Sequence, residues 1–377
     1  MQDFAGRRQR LAERMTEQGV DLLFVPPSAD LEYLTGMERR VPTFGNVSYT
    51  HGWVGGAFFR AGRDPLLVLP RMTAEFDLPG GAPGEVVIVN ELDDCPAIFA
   101  SVTAGLGPVR KLGIGARTWG ETVIHLLEVF DSPSLANGDD LIGPMRAIKS
   151  ADELAAMERA CRLVDEAMAA VTGQVRVGVT ELDLAAEVDH QLKTHGSRTV
   201  SFDTGVWSMG PHDARDATVR VSAQPLREGT GVSFDFGSVF DGYCSDFGRT
   251  IFIGEPDEEF RRAYDLVIGA QAAGIAAVRP GATAAEVHQA TRAVIVEGGY
   301  GDWFRHRTGH CIGMDVHEKP FISEEDQTPL EPGMTFTIEP SIFWPGHVGA
   351  RIEDVIVCEP GGGRKLNTYP ERLVANA

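Results

Sequence analysis

A chain of 377 residues, 43% hydrophobic and 23% charged, is an ordinary globular composition too long for one small core, so two domains are the natural expectation. Its net charge of −20 argues against nucleic acid and anionic membrane as partners, since both recruit basic surfaces. The five cysteines, Cys95, Cys161, Cys244, Cys311 and Cys358, are scattered with no CxxC pair, which excludes a zinc ribbon and a disulfide scaffold.

The first residues, MQDFAGRRQRLAERM, are charged and lack an apolar signal core. No run reaches the roughly 18 apolar residues of a membrane helix, so a cytoplasmic protein with reduced thiols is expected. The spacing then predicts a helix over 4–18 and a buried strand at 20–25, with Gly19 between them. PLLVLP at 65–70, EVVIV at 85–89 and KLGIG at 111–115 are further strands of an α/β domain. Residues 38–53 are too polar and interrupted for an element and read as a long loop, the kind that often carries function. Gly143-Pro144 is expected to break structure, and Ser150 with Glu153 forms a capping box that opens a helix. The domain boundary therefore falls between 1–145 and 150–377. Leu154, Met157, Cys161, Val164, Met168 and Val171 form one apolar face of that helix, which core packing explains.

An internal repeat follows. Val175-Arg176-Val177-Gly178-Val179-Thr180 returns as Val278-Arg279-Pro280-Gly281-Ala282-Thr283, offset by 103 residues. In each copy Thr opens a helix with Asp183 or Glu286 as its capping partner, and the helix ends near Gly196 or Gly299. Each copy then runs into a β region bearing two carboxylates: Asp235 and Asp246 in the first, Glu339 and Glu353 in the second. A duplicated helix-plus-sheet unit predicts a pseudo-two-fold domain with a central site.

The stretch GVSFDFGSVFDGYCSDFGRT, 231–250, supplies the first pair. Asp241-Gly242 is a favoured pair for a two-residue hairpin turn. That turn puts Asp235 diagonally across from Asp246 on one face, with Cα atoms roughly 7–8 Å apart. Two carboxylates in runs built for burial repel and lose solvation, a conflict that a bound cation resolves. Farther on, His310 and His317 lie seven residues apart in a glycine-bearing stretch without helical periodicity. The alternations at 334–340 and 350–357 suit strands carrying Glu339 and Glu353. A two-residue loop at Pro345-Gly346 would set these glutamates on opposite faces. A three-residue loop centred on Gly346, or a bulge near Gly349, would oppose them on one face, and that arrangement is the expectation. Four carboxylates and an imidazole suit Mn²⁺, Co²⁺, Fe²⁺ or Zn²⁺, and five ligands suit two ions that hold a bridging hydroxide and polarise a carbonyl.

Asp235-Phe236-Gly237, Ser245 to Thr250 (SDFGRT), Thr308-Gly309-His310, His317-Glu318, Ile338-Glu339-Pro340 and Arg351-Ile352-Glu353-Asp354 together resemble the M24 metallopeptidase family, in the same order over about 150–377. That family includes methionine aminopeptidases, Xaa-Pro aminopeptidases and Xaa-Pro dipeptidases. The resemblance implies an N-terminal creatinase-like α/β domain, followed by a catalytic pita-bread α/β domain of pseudo-two-fold symmetry. It implies Asp235, Asp246, His310, Glu339 and Glu353 as ligands of two divalent ions per chain, Mn²⁺ first among them. It also implies His212, in Gly210-Pro211-His212, as a substrate-binding histidine and His317 as an aid to the tetrahedral intermediate. Glu339 becomes a proton shuttle, and Arg351 is left to orient substrate. Leu31 to Gly36 (LEYLTG) resembles an N-terminal signature of prolidases and Xaa-Pro aminopeptidases, whose relatives are commonly homodimers, with Tyr33 and the 38–53 loop as a wall that restricts peptide length.

The function implied is hydrolysis of Xaa-Pro bonds in short proline-containing peptides. The alternatives are a relative acting on a small non-peptide metabolite, such as an ectoine-type hydrolase, a dimethylsulfoniopropionate lyase or a creatinase, and a binding protein with a dead site. Creatinase-like members typically lose metal ligands, and the complete ligand set speaks against a dead site as well. Cys311 stands where the family usually has glycine, and a side chain there is expected to narrow the pocket and so leave the metabolite reading open.

Overall fold

A computed structural model describes residues 2–39, 50–78 and 81–376. The chain divides into two units, Met1–Arg146 and Ala147–Ala377.

In the first unit, six strands form a sheet: β1 (Leu22–Val25), β2 (Gly56–Phe59), β3 (Leu66–Pro70), β4 (Glu85–Val89), β5 (Lys111–Ile114) and β6 (Ser134–Asn137), in the order β4-β3-β2-β1-β5-β6. Its helices are α1 (Phe4–Glu17), α2 (Ala29–Thr35), α3 (Arg71–Asp77), α4 (Cys95–Ala104), α5 (Gly120–Val129) and α6 (Asp139–Ala147). Leu22 to Val25 are fully buried, as a central strand covered on both faces demands of four consecutive apolar residues.

Two expectations meet a different outcome here, and a third lies largely outside the described residues. The α6 helix runs through Gly143-Pro144 instead of breaking there. Proline has no N–H to give to the Asp140 carbonyl, and Arg14 Nη2 supplies that oxygen with a hydrogen bond at 2.9 Å. Tyr33 is not a pocket wall: it is buried, its hydroxyl donates to the Met145 carbonyl at 3.1 Å, and the Arg7 guanidinium lies 4.0 Å over its ring. The 38–53 loop falls largely outside the described residues, and its far end, Trp53, packs in the core on Phe99 and His125.

The second unit is built from two copies of one plan. The first has α7 (Ala151–Thr172), α8 (Glu181–Thr194), β7 (Gly205–Met209), β8 (Thr230–Phe236), the short hairpin β9 (Val239–Phe240) and β10 (Tyr243–Cys244), and β11 (Phe247–Ile253). The second has α9 (Glu258–Ala277), α10 (Ala284–Glu297), β12 (Gly309–Cys311), β13 (Glu318–Ile322), β14 (Thr335–Ile338), the hairpin β15 (Ser341–Trp344) and β16 (Val348–Arg351), β17 (Asp354–Glu359), β18 (Gly362–Lys365) and β19 (Val374–Asn376). The sheets run β19-β11-β8-β7 and β13-β12-β14-β17-β18, so β11-β8-β7 corresponds to β17-β14-β12. Helices α7 and α8 cover the first sheet with Val164, Met168, Leu184 and Val188 against Val232, Phe234 and Ile251. The second sheet packs Phe336, Ile338 and Ile356 against Ala284 and Val287 of α10.

The repeat is carried by backbone as well as by sequence. Capping boxes close on Thr180 with Asp183 and on Thr283 with Glu286. The Gly178 N–H reaches the Leu226 carbonyl and the Gly281 N–H reaches the Leu330 carbonyl, each from a glycine in the left-handed region. Among the described residues no helix is long and apolar enough to cross a membrane.

Candidate metal centre

The turn at Asp241-Gly242 sets the first half of the site. Both residues have positive φ, 48° and 84°, as a two-residue hairpin turn requires. Phe240 pairs with Tyr243 and Val239 with Cys244, and the longer ladder keeps that register, with Asp235 facing Gly248. Asp246 is therefore diagonal to Asp235.

The second half uses the three-residue loop Pro345-Gly346-His347. Trp344 pairs with Val348 and Ser341 with Arg351, while Ile338 pairs with Asp354 in the neighbouring ladder. Both ladders share one register, in which Glu339 and Glu353 stand opposite where the strands change partners. There the Glu339 N–H bonds to the Thr308 carbonyl, and Glu353 exchanges both backbone bonds with Gly248. A Cβ on Gly248 would sit 3.0 Å from the Glu353 Cβ, so this close approach of the two halves needs glycine.

These registers gather the charges. Asp246, His310 and Glu353 offer ligand atoms within 4.8 Å of one another. His310 Nε2 lies 3.4 Å from Asp246 Oδ2 and 3.5 Å from Glu339 Oε1, while Nδ1 is 3.1 Å from the Cys311 carbonyl oxygen. A proton on Nδ1 satisfies that carbonyl and leaves Nε2 free to ligate. Arg351 donates through Nη1 to Asp235 at 2.7 Å and through Nη2 to Glu339, and Nη2 is also 2.8 Å from Glu353 Oε2. Arg220 adds a bond to Asp235 at 3.0 Å.

The cluster remains short of positive charge. Asp246 Oδ1 and both carboxylate oxygens of Glu353 are buried without a hydrogen bond among the described residues. Burial, opposed by His310 and reinforced by Asp235, pushes the Asp246 carboxyl up to about 6. Burial, against the pull of Arg351, drives Glu353 well above the usual carboxylate range. Glu339 goes the other way: burial is outweighed by Arg351, His306, His310 and Arg307, which hold it below its ordinary value. Buried carboxylate oxygens without hydrogen bonds, in a cluster with surplus negative charge, fit divalent cations.

The profile of metallopeptidase family M24 matches residues 155–360, and that of the creatinase/prolidase N-terminal domain matches 7–148. The chain belongs to metallopeptidase family M24. It is 37% identical to the Xaa-Pro dipeptidase of Pyrococcus horikoshii over 97% of this chain and 98% of that one. The crystal structure of prolidase from Thermococcus sibiricus superposes with a TM-score of 0.90 at 30% identity and covers 100% of both chains. Dipeptidase PepE from Mycobacterium ulcerans follows at 0.84, 32% identity, 99% of this chain and 97% of that one.

In this M24 chain the cluster opens into a cavity of about 1010 Å³ lined by Asp235, Asp246, His310, Glu339 and Arg351, with Phe202, Phe304, Phe321 and Phe343 among its apolar walls. His317 lines it too, its ring 4.2 Å from that of His310. Desolvation, with His310 and Arg307 adding to it, lowers His317 to about 4, so its imidazole is neutral at neutral pH.

Three of the sequence expectations look different in the structure. His212 is exposed, bonded through Nδ1 to the Glu228 carbonyl at 3.0 Å, and does not line the cavity. Arg351 is buried and committed to the carboxylates, so its structural partners are Asp235 and Glu339 in place of an open position for substrate. Cys311 does not narrow the pocket. His310 lines the cavity while Cys311 lies in the core with Phe336, Ile322 and Cys358, and burial raises its thiol to about 12.

His306 lines the cavity as well, with Nε2 at 2.6 Å from Ser341 Oγ and Nδ1 at 3.9 Å from Glu339. His306 was not among the residues that the sequence motifs singled out. Its signal was the pairing of Ser341 with Arg351, which is visible only once the hairpin register is known.

Proposed function

We propose that this protein hydrolyses the peptide bond of Xaa-Pro dipeptides at a centre of two divalent ions, with residues 150–377 carrying the chemistry and residues 1–145 forming an accessory domain. The observation that carries this reading is the set of buried oxygens without a hydrogen bond on Asp246, which lines an aromatic-walled cavity, and on Glu353 beside it. The kinship with Xaa-Pro dipeptidases supports it.

Asp235, Asp246, His310, Glu339 and Glu353 would hold the ions, which when bound would supply a hydroxide nucleophile at neutral pH and polarise the scissile carbonyl. Arg351 holds Asp235 and Glu339 in place through its two-pronged grip. Glu339, kept ionised by Arg351 and its neighbours, accepts the proton of the attacking water and passes it to the proline nitrogen as the C–N bond breaks. His317, neutral, donates a hydrogen bond to the oxygen on which negative charge develops. The aromatic walls accept the proline ring, which has no N–H to be recognised through the backbone.

The test is a comparison of Xaa-Pro dipeptide, Xaa-Pro tripeptide and Xaa-Ala dipeptide with Mn²⁺, alongside elemental analysis of the loaded protein. Two ions per chain and preferential cleavage of the Xaa-Pro dipeptide are expected. Equal rates on Xaa-Ala would refute proline selectivity, and one ion per chain at full activity would refute the dinuclear centre. With Cys311 in the core, its side chain lends no support to a small-metabolite substrate.

A further inference from the structure

The His317 ring rests on that of His310, centroids 4.2 Å apart, and among the described residues it makes no hydrogen bond. A side chain without a hydrogen bond of its own points where its backbone points it. That backbone is the loop 312–317 between β12 and β13, and the loop is tied to a buried ion pair that the chemistry above does not use.

Glu318 follows His317 and opens β13. Its Oε2 accepts from Lys149 Nζ at 3.3 Å, and its Oε1 accepts from the Asp315 N–H at 3.1 Å. The side chains of Lys149 and Glu318 are only 1% and 8% exposed. A Cβ on Gly313 would stand 2.8 Å from Glu318 Oε1 and 3.0 Å from Lys149 Cε, so the pair packs directly on the loop. Lys149 is itself fixed. Its N–H bonds to the Gly333 carbonyl at 3.0 Å, and Ile148 before it bridges to Met334. The first repeat adds one more tie, from the Cys244 N–H of β10 to the Gly313 carbonyl at 2.7 Å.

Against apolar side chains of the same size, a pair this buried adds little net stability. What it adds here is one geometry for the loop, because Glu318 cannot satisfy both Lys149 and Asp315 in another. Building on the role of His317 in the reading above, we infer that Lys149, through Glu318, is a positioning residue that holds the β12–β13 loop and so aims His317 into the cavity. Lys149 takes no part in proton transfer.

The experiment combines turnover with hydrogen exchange, on the Mn²⁺-loaded full-length protein. Gly-Pro hydrolysis is measured for wild type, Lys149→Met, His317→Ala and the double variant. Lys149→Met should lose about 10- to 100-fold in kcat with little change in KM, the cost of a small misplacement of a group that acts on the transition state. In the His317→Ala background the same substitution should cost nothing further, since the group it positions is already gone. Amide exchange by mass spectrometry should quicken at least several-fold in peptides covering 312–318 of Lys149→Met, while β8 and β11 stay as in wild type.

A loss in kcat that is as large without His317 as with it overturns the inference, and so does unchanged exchange at 312–318. If Lys149→Met does not fold, Gly313→Ala decides, because its Cβ displaces the pair and removes no charge. Wild-type kcat and wild-type exchange in Gly313→Ala would overturn the inference. The underlying reading is scored separately. If wild type does not cleave Gly-Pro, or His317→Ala cleaves it as fast as wild type, the role of His317 falls. The hold of Lys149 on the loop then stands or falls on exchange alone.

Discussion

At the scale of single residues, Asp246 shows how far the site departs from a relaxed structure. Its folded-state carboxyl titrates near 6 against an ordinary 3.8. A raised carboxylate pKa stabilises the fold fully below the ordinary value and loses that contribution as pH rises through the folded value. In chelator, thermal stability should therefore fall between about pH 4 and pH 6 more steeply for wild type than for Asp246→Asn, which cannot ionise. Mn²⁺ should suppress the difference by supplying the missing charge. Parallel melting curves for the two metal-free proteins would show that the Asp246 charge is already compensated. His317 makes a second case. A neutral donor to developing charge acts chiefly in the transition state, so His317→Ala should cost about 10²–10³ in kcat with little change in KM. A raised KM at unchanged kcat would move His317 to ground-state binding.

At the scale of elements, the hairpin turns decide which carboxylates share a face, because a one-residue slip flips every side chain. The first turn is therefore a measurable control point. Gly242 sits at φ 84°, and Gly242→Ala should lose about 1–2 kcal/mol in urea denaturation, the left-handed penalty for a residue with a Cβ. A neutral result would mean the turn relaxes at no cost. This is also where the sequence was most legible. Asp-Gly declares a two-residue loop and so fixes Asp235 against Asp246, and the choice of a three-residue loop at Gly346 correctly opposes Glu339 and Glu353. What stayed hidden depends on partners distant in sequence. The helix through Pro144 needs Arg14 to accommodate the freed carbonyl. The inward turn of Cys311 follows from the pairing of β12 with β14, and the commitment of Arg351 follows from carboxylates contributed by three other strands or loops.

At the scale of the whole catalytic unit, the two repeats are joined by a buried ion pair. Arg249 on β11 of the first repeat donates through Nη2 to Asp354 on β17 of the second at 2.7 Å, and through Nη1 to the Glu353 carbonyl at 2.9 Å. Its Nε and Nη2 also reach the Pro370 and Tyr369 carbonyls, tying down the last segment of the chain. Gln271 of α9 donates to the other oxygen of Asp354 at 3.0 Å, so the carboxylate is fully surrounded although burial pushes its pKa up. The pair lies next to Glu353 and so fixes the backbone from which a proposed metal ligand projects. Removing one partner leaves a charge stranded in the interior, whereas removing both leaves a cavity that apolar side chains can fill. Arg249→Met should therefore cost about 3–5 kcal/mol of stability by urea denaturation, the range for breaking a buried pair. The double variant Arg249→Met with Asp354→Leu should regain a large part of that loss. Binding of Mn²⁺ should weaken in the single variant even where it stays folded, because the Glu353 carbonyl loses its Arg249 anchor. If the two substitutions are additive, Arg249 acts through its carbonyl contacts alone. The join between the repeats would then rest on the Gly248–Glu353 backbone bridge and not on the ion pair.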